Sequence, residues 1–191
     1  MARLETRIGQ LCLKNPVIAA PAEHMIADGG IRAAIEAGAG AVVMKSTNES
    51  AAAKAQLRAA EYVALDAHWS PVPWGPQADP ATVILSRSGL HPLGFEDWLA
   101  QCVAHDKIAR EHDCLLVPSL ILADLEQAIG MALAVQEAGL RVLEFNIGTP
   151  YAREAAEGAV TTETVGARVA MLTSALTERL EIPVWVKLTE I

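Results

Sequence analysis

The chain is short of cysteine, of aromatic residues and of positive charge. Its 191 residues include three cysteines, two tyrosines, two phenylalanines and four tryptophans, and 15 Lys+Arg stand against 23 Asp+Glu, a formal net charge of −8. The deficit of basic residues excludes the electrostatic footprint of a nucleic-acid binder. Cys12, Cys102 and Cys114 are odd in number and form neither a CxxC pair nor a zinc spacing, so they read as reduced core thiols, with no metal site. No apolar run approaches the roughly 18 residues that a membrane-spanning helix needs, and the stretch MARLETRIGQLCLKNP lacks the continuous apolar centre of a signal peptide. These absences predict a cytoplasmic protein with no nucleic-acid or membrane partner.

What is abundant is apolar residue, at 52%, which excludes a disordered chain. Runs rich in Val, Ile and Leu at 16–20, 41–45, 115–120, 141–146 and 183–188 are near-continuously apolar, as strands buried on both faces of a parallel sheet are. Helical patterns lie between them, at 29–37, 95–112, 124–138 and 163–179. Gly38 and Gly139 stand where two of these helices would stop, and Thr162-Glu163 resembles an N-cap with an acidic first turn. A repeated β-α order gives either an open doubly wound sheet or a (β/α)8 barrel. The turn after the first core strand, Ala19-Ala20-Pro21-Ala22, has no Gly-rich phosphate loop, which argues against a Rossmann site.

Two features favour the barrel. Residues 3–8 and 11–13, flanking Gly9-Gln10, read as a hairpin that covers a barrel's bottom. Polar residues gather at the C-terminal ends of the strands, where a barrel carries its chemistry: Lys45 and Ser46, Ser119, Asn146, then Lys187 and Thr189. The expected fold is therefore α/β, a (β/α)8 TIM barrel of which the chain supplies an N-terminal hairpin and about five strands. A whole barrel takes about 250 residues. Residues 1–191 are thus expected to be a single, incomplete domain, either a portion of a longer protein or completed by a second chain.

The unit from Ala41 to Leu115 is much longer than the others. It holds five of the eight aromatic residues, Tyr62, Trp69, Trp74, Phe95 and Trp98, with Pro71, Pro73, Pro76, Pro80 and Pro92. Such a connection predicts an extended loop over 47–94 that caps the barrel mouth, with a packing excursion or an oligomer contact as the alternative.

Five segments carry a family resemblance: Leu11 to Pro16 (LCLKNP) with Ala20 beyond it, Gly40 to Ser46 (GAVVMKS), Gly89 to Phe95 (GLHPLGF), Leu143 to Asn146 (LEFN) and Val184 to Leu188 (VWVKL). In order and spacing the chain resembles the dihydroorotate dehydrogenase family, and the similar flavin domain of dihydropyrimidine dehydrogenase, over residues 4–188. The resemblance implies an FMN-dependent oxidoreductase of pyrimidine metabolism. In such an enzyme hydride passes between flavin N5 and a CH–CH bond of a small, cyclic, dihydropyrimidine-like substrate. It also implies either a homodimer or an electron-transfer partner subunit; no iron–sulfur or NAD motif is present. By the same resemblance Ala20, Pro21 and Ala22 lay backbone against the flavin, Lys45 and Ser46 meet flavin and substrate, Asn146 meets the flavin or pyrimidine edge, and Lys187 lies on the flavin side. A fixed cation there stabilises the anionic reduced flavin, and an amide donates and accepts at once.

The pattern departs from the family in two places. The catalytic cysteine or serine of the family falls on Thr149, an alcohol and a poorer base than a thiolate, so the catalytic set that the resemblance implies is Thr149, Lys45 and Asn146. The family's Pro-Asn pair is replaced by His91-Pro92, which removes a donor and acceptor for the substrate edge. His91 and His24 are candidate replacement acids or bases, against the simpler reading of each as an exposed loop histidine. The alternative function is a non-catalytic or partner-completed barrel subunit that has lost the proton-abstracting cysteine or serine. A third reading is an enzyme without flavin that uses Lys45 or Lys187 as a Schiff-base amine.

Overall fold

The computed structural model describes residues 4–148 and 166–188. A hairpin of β1 (Thr6–Ile8) and β2 (Leu11–Leu13) opens the chain and turns at Gly9, whose φ of 58° suits glycine. Next come β3 (Ile18–Ala19), α1 (Asp28–Glu36) and β4 (Ala41–Val43). The long unit follows, with α2 (Ala51–Ala55), β5 (Glu61–Leu65), β6 (Pro71–Val72), β7 (Val83–Arg87) and α3 (Phe95–Glu111). The chain continues through β8 (Leu115–Val117), β9 (Ser119–Ile121), α4 (Leu125–Glu137), β10 (Leu143–Asn146), α5 (Gly166–Thr177) and β11 (Val184–Lys187). Gly38 and Gly139 end α1 and α4 at φ of 92° and 80°, and the Asp124 carboxylate caps α4 by accepting from the Gln127 N–H at 3.0 Å. The expected cap at Thr162-Glu163 lies outside the described residues.

The expected (β/α)8 TIM barrel, even in part, is not found. The parallel strands form two three-stranded sheets, β3-β4-β8 and β11-β10-β9, beside antiparallel β1-β2 and β6-β5-β7, and none is closed. The chain is a mixed α/β fold of several small sheets. Pro118 is one physical reason. The run 115–120, read as one strand, breaks at this residue because proline has no N–H for a ladder. Before it, the Val117 carbonyl accepts from Met44 N at 3.0 Å; at it, the Pro118 carbonyl accepts from Glu144 N at 2.8 Å. The chain thus changes partner from β4 to β10 across one residue, and among the described residues the backbone of the two sheets meets beyond it at an isolated Thr47–Leu120 bridge. Among the described residues the outer strands β3 and β11 each have a single neighbour. A groove of about 610 Å3, lined in part by Leu4, Val17, Ala19 and Ala34, runs along β3. On the far side β11 is half-buried throughout, where β10 is fully buried.

Side chains alternate across the parallel strands with the period of two that strands impose. Val42, Met44, Leu116, Leu120, Leu143 and Phe145 face the helices and join Ile31, Ile35, Trp98 and Ala132 in the main core. On the opposite face Ala41, Val43, Leu115 and Val117 form a second apolar layer, closed by Ile8 and Leu11 from the region of the hairpin. Entry to β4 is tight: a Cβ on Gly40 would stand 2.1 Å from the Asn15 carbonyl oxygen, a distance no side chain tolerates.

Within 47–94, β5 to β7 make a sheet of their own rather than a bare loop. Its base is anchored, because Ala53 and Leu90 pack on Ile121 and the His91 N–H donates to the Ser46 carbonyl at 2.9 Å. The aromatics divide. Trp98 is fully buried in α3 and stacks with Phe95 at 5.9 Å, whereas Trp69 and Trp74 are 72% and 68% exposed.

Candidate functional site

The second face of the parallel strands changes character toward their C-terminal ends. Apolar Ala41, Val43, Leu115 and Val117 give way to Lys45, Ser46, Ser119, Glu144 and Asn146, all buried, and to Lys187. Register explains the meeting: Glu144 lies opposite Ser119 on one side, and Asn146 lies opposite Lys187 on the other. In parallel strands paired residues share a face, so polar groups far apart in sequence become neighbours.

A continuous polar row results. The Ser46 and Ser119 hydroxyl oxygens are 2.8 Å apart, the Ser119 hydroxyl donates to Glu144 Oε1 at 2.7 Å, and Lys187 Nζ stands 3.7 Å from that same oxygen. Asn146 Oδ1 accepts from Gly148 N at 3.1 Å, which leaves its NH2 as the group able to donate. Lys45 is held separately. Its ammonium is 3.2 Å from Glu23 Oε1, and its carbonyl accepts from Trp98 Nε1 at 3.1 Å. Burial pushes the Glu23 carboxyl up, but the Ser88 hydroxyl, the residue's own backbone N–H and the Lys45 ammonium together hold it below its usual value.

The structure therefore brings Lys45, Ser46, Asn146 and Lys187 to one end of the strands. Ala20, Pro21 and Ala22 lie at the end of β3, before the short helical turn Glu23–Met25 that carries the Lys45 partner. Thr149 lies outside the described residues, as does Thr189. His24 is exposed. His91, in contrast, is 1% exposed, not a surface loop residue: its Nδ1 accepts from Leu93 N at 3.3 Å and its Nε2 has no partner at hydrogen-bonding distance. Cys102 and Cys114 are buried free thiols that burial pushes up, but Cys12 is exposed, so only two of the three are core thiols.

Glu144 and its bond to Ser119 escaped the sequence reading. The signal was present: a carboxylate inside the apolar run 141–146 has to be partnered if that strand is buried.

Two buried histidines, His91 and His105, give the fold a pH dependence. Burial lowers His91, opposed by the Ile26 carbonyl and Gln101 and aided by the charges of Lys54 and Lys45; burial likewise lowers His105, where Asp28 opposes it. Both fold as neutral imidazoles, and the unfolded chain takes up their protons near the ordinary value of 6.5. Stability is complete above that pH and is lost as pH falls below it. The denaturant midpoint is expected to fall between about pH 7.5 and 5.5. His91→Gln should flatten this fall, and an unchanged pH slope in that variant would sink the assignment.

The donor set suits a planar heterocycle with several carbonyl groups. It offers two cations and an amide, and next to Ser46 in sequence Thr47 Oγ1 and Asn48 Nδ2 are fully buried without a hydrogen-bond partner among the described residues. An orphaned buried donor costs about 1–3 kcal/mol unless something accepts from it. A flavin ring fits this chemistry. Among the described residues no cluster of three His, Cys, Asp or Glu is placed to hold a metal, and no helix is long and apolar enough to cross a membrane. No family model and no curated protein matches the chain.

Proposed function

We propose that the chain is an FMN-dependent oxidoreductase similar to the dihydroorotate dehydrogenase family, acting on a CH–CH bond of a dihydropyrimidine-like ring. The observation that carries this reading is the polar row Ser46–Ser119–Glu144, buried, and Lys187, half-buried, with Lys45 and Asn146, at the C-terminal ends of neighbouring parallel strands. FMN, when bound, supplies a two-electron hydride acceptor. The residues that would hold its ring are Ala20, Pro21 and Ala22 through their backbone, with Lys45, Asn146 and Lys187 through their side chains; Ser46 would meet the ring and the substrate beside it. Lys187 places positive charge where negative charge would develop, Asn146 reads an imide edge, and Lys45, fixed by Glu23, keeps a second cation at the same end.

The test is direct. Purified protein mixed with FMN and passed through a desalting column is expected to retain absorbance near about 370 and 450 nm, the isoalloxazine bands. Protein that emerges colourless overturns the proposal.

A further inference from the structure

We propose that Ser46, Ser119 and Glu144 form a proton relay, in which Glu144 stores a proton taken up at Ser46. The proposal rests on the reading above for what sits beside Ser46, and on geometry for the rest. An ionised carboxylate only accepts, so the Ser119 hydroxyl must donate to Glu144 Oε1, 2.7 Å away. Its proton is then committed, so in the 2.8 Å contact between the two serines Ser46 donates and Ser119 accepts. Directionality is fixed along the whole row, and the Ser46 oxygen keeps lone pairs with which it can accept.

Oxidation of a CH–CH bond removes a hydride from one carbon and a proton from the other. The proton goes to Ser46 Oγ, the Ser46 hydroxyl proton passes to Ser119 Oγ, and the Ser119 proton passes to Glu144 Oε1. Three bonds to hydrogen break and three O–H bonds form. Both serines end as neutral alcohols, Glu144 ends as a carboxylic acid, and the electron pair of the broken C–H bond stays with the substrate. Such a relay ends on a carboxylate, a better proton acceptor than the threonine at 149. The burial of Ser46, Ser119 and Glu144, residues 5%, 0% and 7% exposed, keeps bulk water from short-circuiting it.

Glu144 is bounded by Ser119 of β9 and the half-buried Lys187 of β11; the other cation of this face, Lys45, is taken by Glu23. Proton uptake by Glu144 therefore uncovers the charge of Lys187 at 3.7 Å, which couples proton loss from the substrate to positive charge on the hydride-accepting side. Glu144 touches no reacting atom and acts through the two hydroxyls.

Proton NMR of the flavin-free protein tests the direction of the row. A slowly exchanging hydroxyl proton is expected at Ser119, held between the Ser119 oxygen and Glu144, and is lost in Ser119→Ala. Ser119→Thr is expected to keep such a proton on its own hydroxyl. In FMN-loaded protein, photoreduced and then mixed with orotate or uracil, Ser46→Ala and Ser119→Ala are both expected to lower kcat for flavin reoxidation about 10²-fold with little change in KM. No protected hydroxyl proton at Ser119, or wild-type reoxidation in both alanine variants, overturns the relay. Wild-type protein that binds no FMN overturns the proposed function instead, and the hydroxyl proton then judges the relay alone: a protected proton supports it and its absence ends it.

Discussion

Trp98→Ala is expected to lower the free energy of unfolding by about 3–5 kcal/mol, among the largest losses that any single substitution in this chain should produce. Trp98 is the largest side chain with no exposed surface, and it sits in the main core against Phe95. Two separate contributions are lost. The indole volume leaves a cavity that the α1, α3 and β4 side chains cannot fill without shifting, because cores pack at crystal density. The Lys45 carbonyl also loses its 3.1 Å donor, just where β4 hands over to the polar face. Trp98→Phe separates the two, since it keeps most of the ring and removes the N–H; its expected cost is about 1–3 kcal/mol. Urea denaturation of both variants checks the ordering. Equal losses would show that the hydrogen bond, not the packing, holds this corner.

Lys187→Met is expected to slow hydride transfer from dihydroorotate or dihydrouracil to bound FMN by about 10²-fold, the scale seen when one preorganised electrostatic donor is removed from a site. Methionine keeps the length and apolar stem of lysine, so β11 should keep its pairing with β10. Lys187→Arg should retain more of the rate, as it keeps the charge but not its compact shape. Stopped-flow absorbance at the flavin band makes the measurement. A wild-type rate in Lys187→Met would remove Lys187 from the proposed machinery and leave it as the partner of Glu144 alone.

Much of the secondary structure was legible because it depends on local pattern. Continuous apolar runs marked the parallel strands, Gly38 and Gly139 marked two helix ends through their positive φ, and Gly9-Gln10 marked the hairpin. The lysine, serine and asparagine at strand ends could also be placed, since a strand's end is fixed by its neighbours in sequence. Pro118 was visible too. Its consequence was not, because which strand each half of a broken run will join is a matter of pairing and not of propensity.

The sequence by itself determined the alternation of strands and helices, the composition of the core, and the placing of Lys45, Ser46, Asn146 and Lys187 at strand ends. Only the tertiary structure decided that the sheets stay small and open, that 47–94 folds into its own antiparallel sheet, that His91 is buried, and that Glu144 reaches Ser119 and Lys187. The physical reason is the same in each case. These outcomes depend on register between strands far apart in the chain, where a shift of one residue exchanges the faces and would send Glu144 toward the helices instead of the serines.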